Sequence, residues 1–323
     1  MKKLFTILFL AMLLAVPGMA KSQFPFLEAL GIDAKSVTTS GAVTVSTPSP
    51  AENRVNLTLQ QAEKLLGDVD DMRLAFGGIA IHMVRALPEG HTLIVYRVAF
   101  GNGEFTFFAT YDKAGAVIDY LYTGNWSTQE TSHGYTTYDM AWAEFKNDDD
   151  FVLHRTISKV KPSEVGNGKV LWSMKRDYCY FSDANGFITF QKVDVPQPNG
   201  KNCTKDDILS YDFDDFLVFM PHSAKNLVSA LNQLCIDKNV TMAQLSKFSD
   251  TANLLFRHNE MEMLDFMYQH PKSPVVAMMK AAVKNGQLGK SDLYNAINKL
   301  PAGKQRNALK KLTSQWTVKG AVG

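Results

Sequence analysis

The sequence predicts an α+β protein. An N-terminal antiparallel β-meander of about eight strands, forming a curled sheet, sandwich or barrel-like unit, precedes an all-α C-terminal domain of six to seven short helices. Three observations predict this. From Ile79 to Val193, β-branched and aromatic residues dominate in short runs. The segments between the runs are brief and rich in turn residues: Pro88-Glu89-Gly90, Gly101-Asn102-Gly103, Lys113-Ala114-Gly115, Asn147 to Asp150, and Asn185-Gly186. A parallel crossover needs a dozen or more residues, so such connections join antiparallel neighbours. From about Met220, apolar residues recur at helical spacing to the end of the chain.

Residues 1–20 read as a secretory signal. Lys2 and Lys3 precede an apolar run, Leu4 to Val16, which Pro17-Gly18 breaks. Gly18 and Ala20 are small residues at the -3 and -1 positions of a cut after Ala20. Ala20 and Ser22 offer a second cut, before Gln23. The run is shorter than the ~20 residues of a bilayer span. The expectation is export by a cleaved signal to the periplasm, the cell surface or the medium.

Residues 21–56 read as an extended arm or linker. The stretch 36–55 is rich in Ser, Thr, Pro and Ala, and the patch Phe24 to Ile32 before it is apolar enough to dock on the main body. Residues 57–219 then read as an acidic β-rich domain with one leading helix. Thr58 with Gln61 forms a capping box, and Leu59, Ala62, Leu65 and Leu66 share one helix face.

Strands are expected near 79–86, 92–100, 105–111, 117–123, 134–145, 151–160, 169–181 and 187–193. Two of them alternate cleanly. Phe151, Leu153 and Ile157 oppose His154, Thr156 and Ser158; Trp172, Met174, Tyr178 and Tyr180 oppose Ser173, Lys175 and Asp177. Such strands have one wet face. Thr92 to Phe100 and Phe105 to Tyr111 are apolar on both faces and should be covered on both sides.

Residues 220–323 read as a basic helical domain. Ser223 is expected to cap a helix through Cys235. Thr241 with Gln244 and Asn259 with Glu262 form capping boxes. Ser273-Pro274 opens a helix that Asn285-Gly286 closes. Ser291 and Lys304 start the last two.

The formal net charge of +2 hides an asymmetry. Residues 21–219 hold 18 basic and 26 acidic side chains, whereas residues 220–323 hold 14 basic and 6 acidic. Lys304, Arg306, Lys310 and Lys311 crowd the last helix, whose other side carries Leu300, Ala308, Leu309, Leu312 and Trp316. This basic surface suggests peripheral contact with an anionic membrane or a solvated bundle face, with no nucleic acid as partner.

The composition, 46% hydrophobic and 20% charged over 323 residues, excludes a disordered tail, a collagen or a small disulfide scaffold. No motif names a reaction. The seven histidines lack metal-ligand spacing, and His82 and His154 read as structural or surface residues. Asp68-Asp70-Asp71, Asp148 to Asp150 and Asp212-Asp214-Asp215 lack the spacing of a calcium loop and read as turns. Ser158 and Lys161 match Ser-x-x-Lys, but at a strand end. No phosphate-binding glycine loop is present. No metal and no cofactor is expected.

The candidate ligand platform is aromatic: Tyr120, Tyr122 and Trp126, with Trp126 at a rim after Gly124-Asn125. Cys179 and Cys203 are a possible disulfide pair, permitted by export; Cys235, on an apolar helix face, should be a buried thiol. The leading functional expectation is a non-enzymatic binding protein of the cell envelope, with a protein or glycan partner. The alternatives are a hydrolase, glycosidase-like for example, whose carboxylates or histidines meet only in three dimensions, and a structural envelope protein.

Overall fold

The computed structural model describes residues 23–45, 54–67, 78–100, 103–125, 127–132, 134–162, 168–191, 199 and 203–317. The signal-like segment, Asp68-Asp70-Asp71 and Trp126 lie outside these residues. The strands are β1 Val43–Val45, β2 Val55–Leu57, β3 Ile79–Ala86, β4 Thr92–Phe100, β5 Gly103–Tyr111, β6 Val117–Asn125, β7 Ser127–Ser132, β8 Tyr135–Phe145, β9 Asp150–Lys161, β10 Lys169–Ser182 and β11 Ile188–Gln191. The helices are α1 Pro25–Ala29, α2 Leu59–Leu66, α3 Lys205–Val218, α4 Leu227–Asp237, α5 Met242–Lys247, α6 Ser249–His258, α7 Glu260–Gln269, α8 Pro274–Lys284, α9 Lys290–Lys299 and α10 Lys304–Ser314.

The fold is α+β, and its strands do not form one meander. They divide into two open antiparallel sheets. The five-stranded sheet runs β2-β3-β4-β5-β6. The six-stranded sheet runs β1-β8-β9-β10-β11, with β7 also on β8. The chain changes sheets between β6 and β7. Burial explains the division. Met83, Val95, Phe108 and Leu121 of the first sheet share a core with Phe145, Phe151, Leu153 and Tyr180 of the second. The opposite face of the first sheet buries Ile81, Ile94, Tyr96 and Phe107 under Leu27 of α1 and Leu65 of α2. The two-faced apolar strands β4 and β5 thus lie between two layers, and a single sheet could not have covered both sides.

The segment read as a linker holds the layers together. α1 docks beside Gly115, whose φ is +87° and whose place a Cβ could not share with Phe26. β1 then adds to β8 of the second sheet and β2 to β3 of the first. Arg85, fully buried on β3, fixes the arm: its guanidinium donates to the carbonyls of Gly41 and Asn147 and to Asp148 Oδ1 at 2.9 Å. Asp148 accepts the Gly41 N–H as well, at 2.7 Å. It sits in a turn, as expected, with its carboxylate committed.

α3 was not expected as a helix. Thr204 and Asp207 form a capping box at its start. The acid cluster Asp212-Asp214-Asp215 therefore lies on a helix and not in a turn. The boxes at Thr58–Gln61 and Thr241–Gln244 form as read, and Ser273 caps α8. Two other caps do not form. Ser223 gives both its amide and its hydroxyl to Asp119 of β6, and α4 starts later, after Asn226. Asn259 makes no side-chain cap, and the Glu262 carboxylate accepts instead from the N–H of Val228 in the first turn of α4, at 2.9 Å. From α4 onward the helices build a core around Leu231, Met263, Met278, Ile297 and Leu309. The apolar side of α10 is turned into this core, with Leu309 and Trp316 buried.

Candidate functional site

β9 and β10 each carry an arginine in the middle of an otherwise apolar face. The register places Arg155 directly opposite Arg176. Both are nearly buried, and two like charges side by side repel. Carboxylates from two directions compensate. Asp139 on β8 pairs with Arg155, Oδ1 accepting from Nε at 2.9 Å. Asp212 and Asp215 come from α3, one helical turn apart on the same face. Asp215 lies between the two arginines and also accepts the Tyr178 hydroxyl. Asp212 pairs with Arg176 at 3.0 Å. Its other oxygen faces Lys238 at 3.1 Å, an ion pair without hydrogen-bond alignment.

Burial opposes the charge on Arg155, yet its hydrogen bonds to Asp139 and the attraction of nearby anions raise its pKa overall. The Tyr178 hydroxyl is likewise pushed up by burial, against the pull of Arg176 and Arg155. The ion-pair cluster ties α3 to the sheet. α3 meets the basic half through Lys238 and Asp212, and through Lys247 and Asp206 at 2.7 Å.

Above this cluster lies a half-open cavity of about 920 Å³ between β10, β11, α3 and α4. Arg176, Tyr178, Asp212 and Asp215 reach it from one side. Ile188 and Phe190 of β11, Phe216 of α3, Phe219 and Met220 beyond it, and Leu227 and Leu234 of α4 form apolar walls. Phe219 packs on the Tyr178 ring at 4.8 Å, and its carbonyl accepts the Tyr180 hydroxyl at 2.7 Å. A large, mostly apolar space with a few convergent polar groups is the usual form of a small-molecule site.

Two walls of the cavity are set by one buried side chain. Asp119 of β6 accepts from the N–H groups of Tyr120 (2.8 Å), Ser223 (2.9 Å) and Ile188 (2.9 Å), and from the Ser223 hydroxyl. It joins the first sheet to β11 and to the segment entering α4. His222 extends the contact: its N–H donates to the Tyr120 carbonyl at 2.8 Å and its ring stacks on Tyr120 at 4.3 Å.

Of the aromatic residues expected to form a site, Trp126 lies outside the described residues and Tyr120 lies away from the cavity. Tyr120 is half-buried between Phe107 and His222 and does not line the cavity. Tyr122 pairs with Phe107 in the β5–β6 ladder. Cys179 and Cys203 are both free thiols, and no disulfide joins them. Cys179 lies on the wet face of β10, whereas Cys203 packs against Trp172 and Met174 on the other face. The sheet stands between them. Of the basic surface, Lys304 and Lys311 are exposed, while Arg306 donates to Asn298 at 3.1 Å. Lys310 is partly exposed on the same helix. On the apolar side of α10, Leu309 and Trp316 are buried and Leu312 partly so, which leaves little apolar surface on that helix for insertion into lipid.

His154 stacks on Trp142 and bonds Asp177 at 2.8 Å and Glu144 at 3.2 Å on the open face of the second sheet. Among the described residues no group of three His, Cys, Asp or Glu side chains is arranged to hold a metal ion. No helix among them is long and apolar enough to cross a membrane. The chain matches no family model, no curated protein and no solved structure.

Proposed function

We propose that the chain is an exported, non-enzymatic binding protein of the cell envelope, whose ligand occupies the cavity between the second sheet and helices α3 and α4. The cavity carries this reading: about 920 Å³, walled by both halves of the chain and apolar on most sides. The charge pattern of the first 20 residues supports export. The hydrolase alternative would use Asp212 and Asp215, which share the cavity but are each held by an arginine.

The test is to recover the ligand. Protein purified without denaturant from the periplasm of an expressing bacterium is extracted, and the extract is examined by mass spectrometry. Ala230 lines the cavity on the solvent side of α4, so Ala230→Trp should fill the mouth without disturbing the core. A small molecule retained by the wild type and absent from Ala230→Trp is expected. Equal retention by both proteins would refute the reading. A mature N-terminus at Lys21 or Gln23 is expected in the same preparation.

A further inference from the structure

The polar groups at the depth of the cavity are already engaged with one another. Arg176 lies between Asp212 and Asp215, and the Tyr178 hydroxyl donates to Asp215. Toward the rim, Asp183 accepts the N–H groups of Asn185 and Phe187 at 2.8 and 2.9 Å, closing its own turn. Ser223 is held by Asp119, and Gln233 donates to Asp237 at 2.7 Å. Lys238 neutralises the second oxygen of Asp212. Apart from the Thr189 hydroxyl, what a ligand meets inside is mainly the hydrocarbon of Ile188, Phe190, Phe216, Phe219 and Leu227.

From this, and resting on the cavity being the binding site, we infer that the ligand is a neutral, hydrocarbon-rich small molecule, such as an uncharged acyl or isoprenoid compound. Burying a charge costs heavily unless a partner awaits it. Here the cations and carboxylates that line the interior neutralise each other. A sugar or nucleotide would bring several hydroxyls or phosphates to a lining that offers few open polar positions, the Asp212 oxygen that faces Lys238 and the Thr189 hydroxyl. The exposed Lys225 stands at the rim, in water, where a charge contributes little.

The test compares three ligands of equal chain length, 1-decanol, decanoate and decylammonium, below their micelle concentrations. Each displaces the apolar fluorophore N-phenyl-1-naphthylamine from the full mature chain, wild type or Ala230→Trp, with circular dichroism confirming that the variant is folded. Decanol is expected to bind at least about tenfold more tightly than either charged compound, about 1.4 kcal/mol, and to lose its binding in Ala230→Trp. Decanoate or decylammonium binding as tightly as decanol, and lost in Ala230→Trp, would overturn the inference and leave the cavity as the site. If no decyl compound binds, or if Ala230→Trp binds them all unchanged, the cavity reading falls and this inference with it.

Discussion

Replacing Asp119 by Asn removes one oxygen and almost no volume, so its effect reports the hydrogen bonds alone. Oδ1 accepts from Tyr120 and Ser223; Oδ2 accepts from Ile188 and from the Ser223 hydroxyl. If the amide nitrogen takes the Oδ2 position, the Ser223 hydroxyl can turn to accept from it. The Ile188 N–H cannot turn and is left facing a donor. A buried, unsatisfied N–H costs about 1–3 kcal/mol. The two bonds kept at Oδ1 change from charge-assisted to neutral, weakening each by about 1 kcal/mol. The opposite rotamer is worse, because it strands two N–H groups. The expected loss is about 3–5 kcal/mol in urea unfolding, with faster hydrogen exchange at Ile188 and Ser223, the two cavity walls that Asp119 joins. A loss below about 1 kcal/mol with unchanged exchange at Ile188 would refute this account of the wall.

Three further outcomes are expected. Arg85→Met should cost about 2–3 kcal/mol, less than for a wholly buried pair because Asp148 is half-exposed and can rehydrate; limited proteolysis should then cut near residues 39–45, and resistance equal to wild type would argue against the clamp. The His82 pKa is lowered to about 4 by burial and then by Arg97, so the unfolded chain takes up its proton below pH 6.5 and the folded chain only near 4. Stability should therefore fall as pH drops from 6.5 to 4. The full displacement corresponds to about 3 kcal/mol, and partial exposure of the ring reduces it to about 1–2 kcal/mol; His82→Asn should flatten this part of the urea-derived profile. Burial pushes the Cys235 thiol up to about 12 and that of Cys203 up more modestly. Thiol titration of the native protein should thus show Cys203 reacting slowly and Cys235 only after denaturation; one reactive thiol in total would restore the disulfide.

What was legible in the sequence was local. The capping boxes at Thr58 and Thr241 need only residues three apart, and they form. Ser223 offers the same local signal, but Asp119, far upstream, outcompetes it. α3 was hidden because Asp212 and Asp215 occupy its buried face, so its apolar period is broken by the residues that dock it. β7, with the sequence STQETS, has no apolar alternation to read. The cavity cluster did leave a trace. Arg155 and Arg176 interrupt two apolar strand faces, and a buried cation there requires a carboxylate from another element. The spacing of Asp212 and Asp215 suits that need. Which strand faced which helix was a matter of topology, beyond the reach of any local pattern.

The pairing of β1 with β8 has a kinetic side. Val43 meets Phe145, about 100 residues later in the chain. At a synthesis rate of about 5–20 residues per second, the arm emerges some 5–20 s before its partner strand exists. Until then Val43 and Val45 have no sheet to join, and Arg85 has no Asn147 or Asp148 to grip. The clamp can close only once the turn holding Asn147 and Asp148 is present, so the N-terminal arm depends on both sheets for its place.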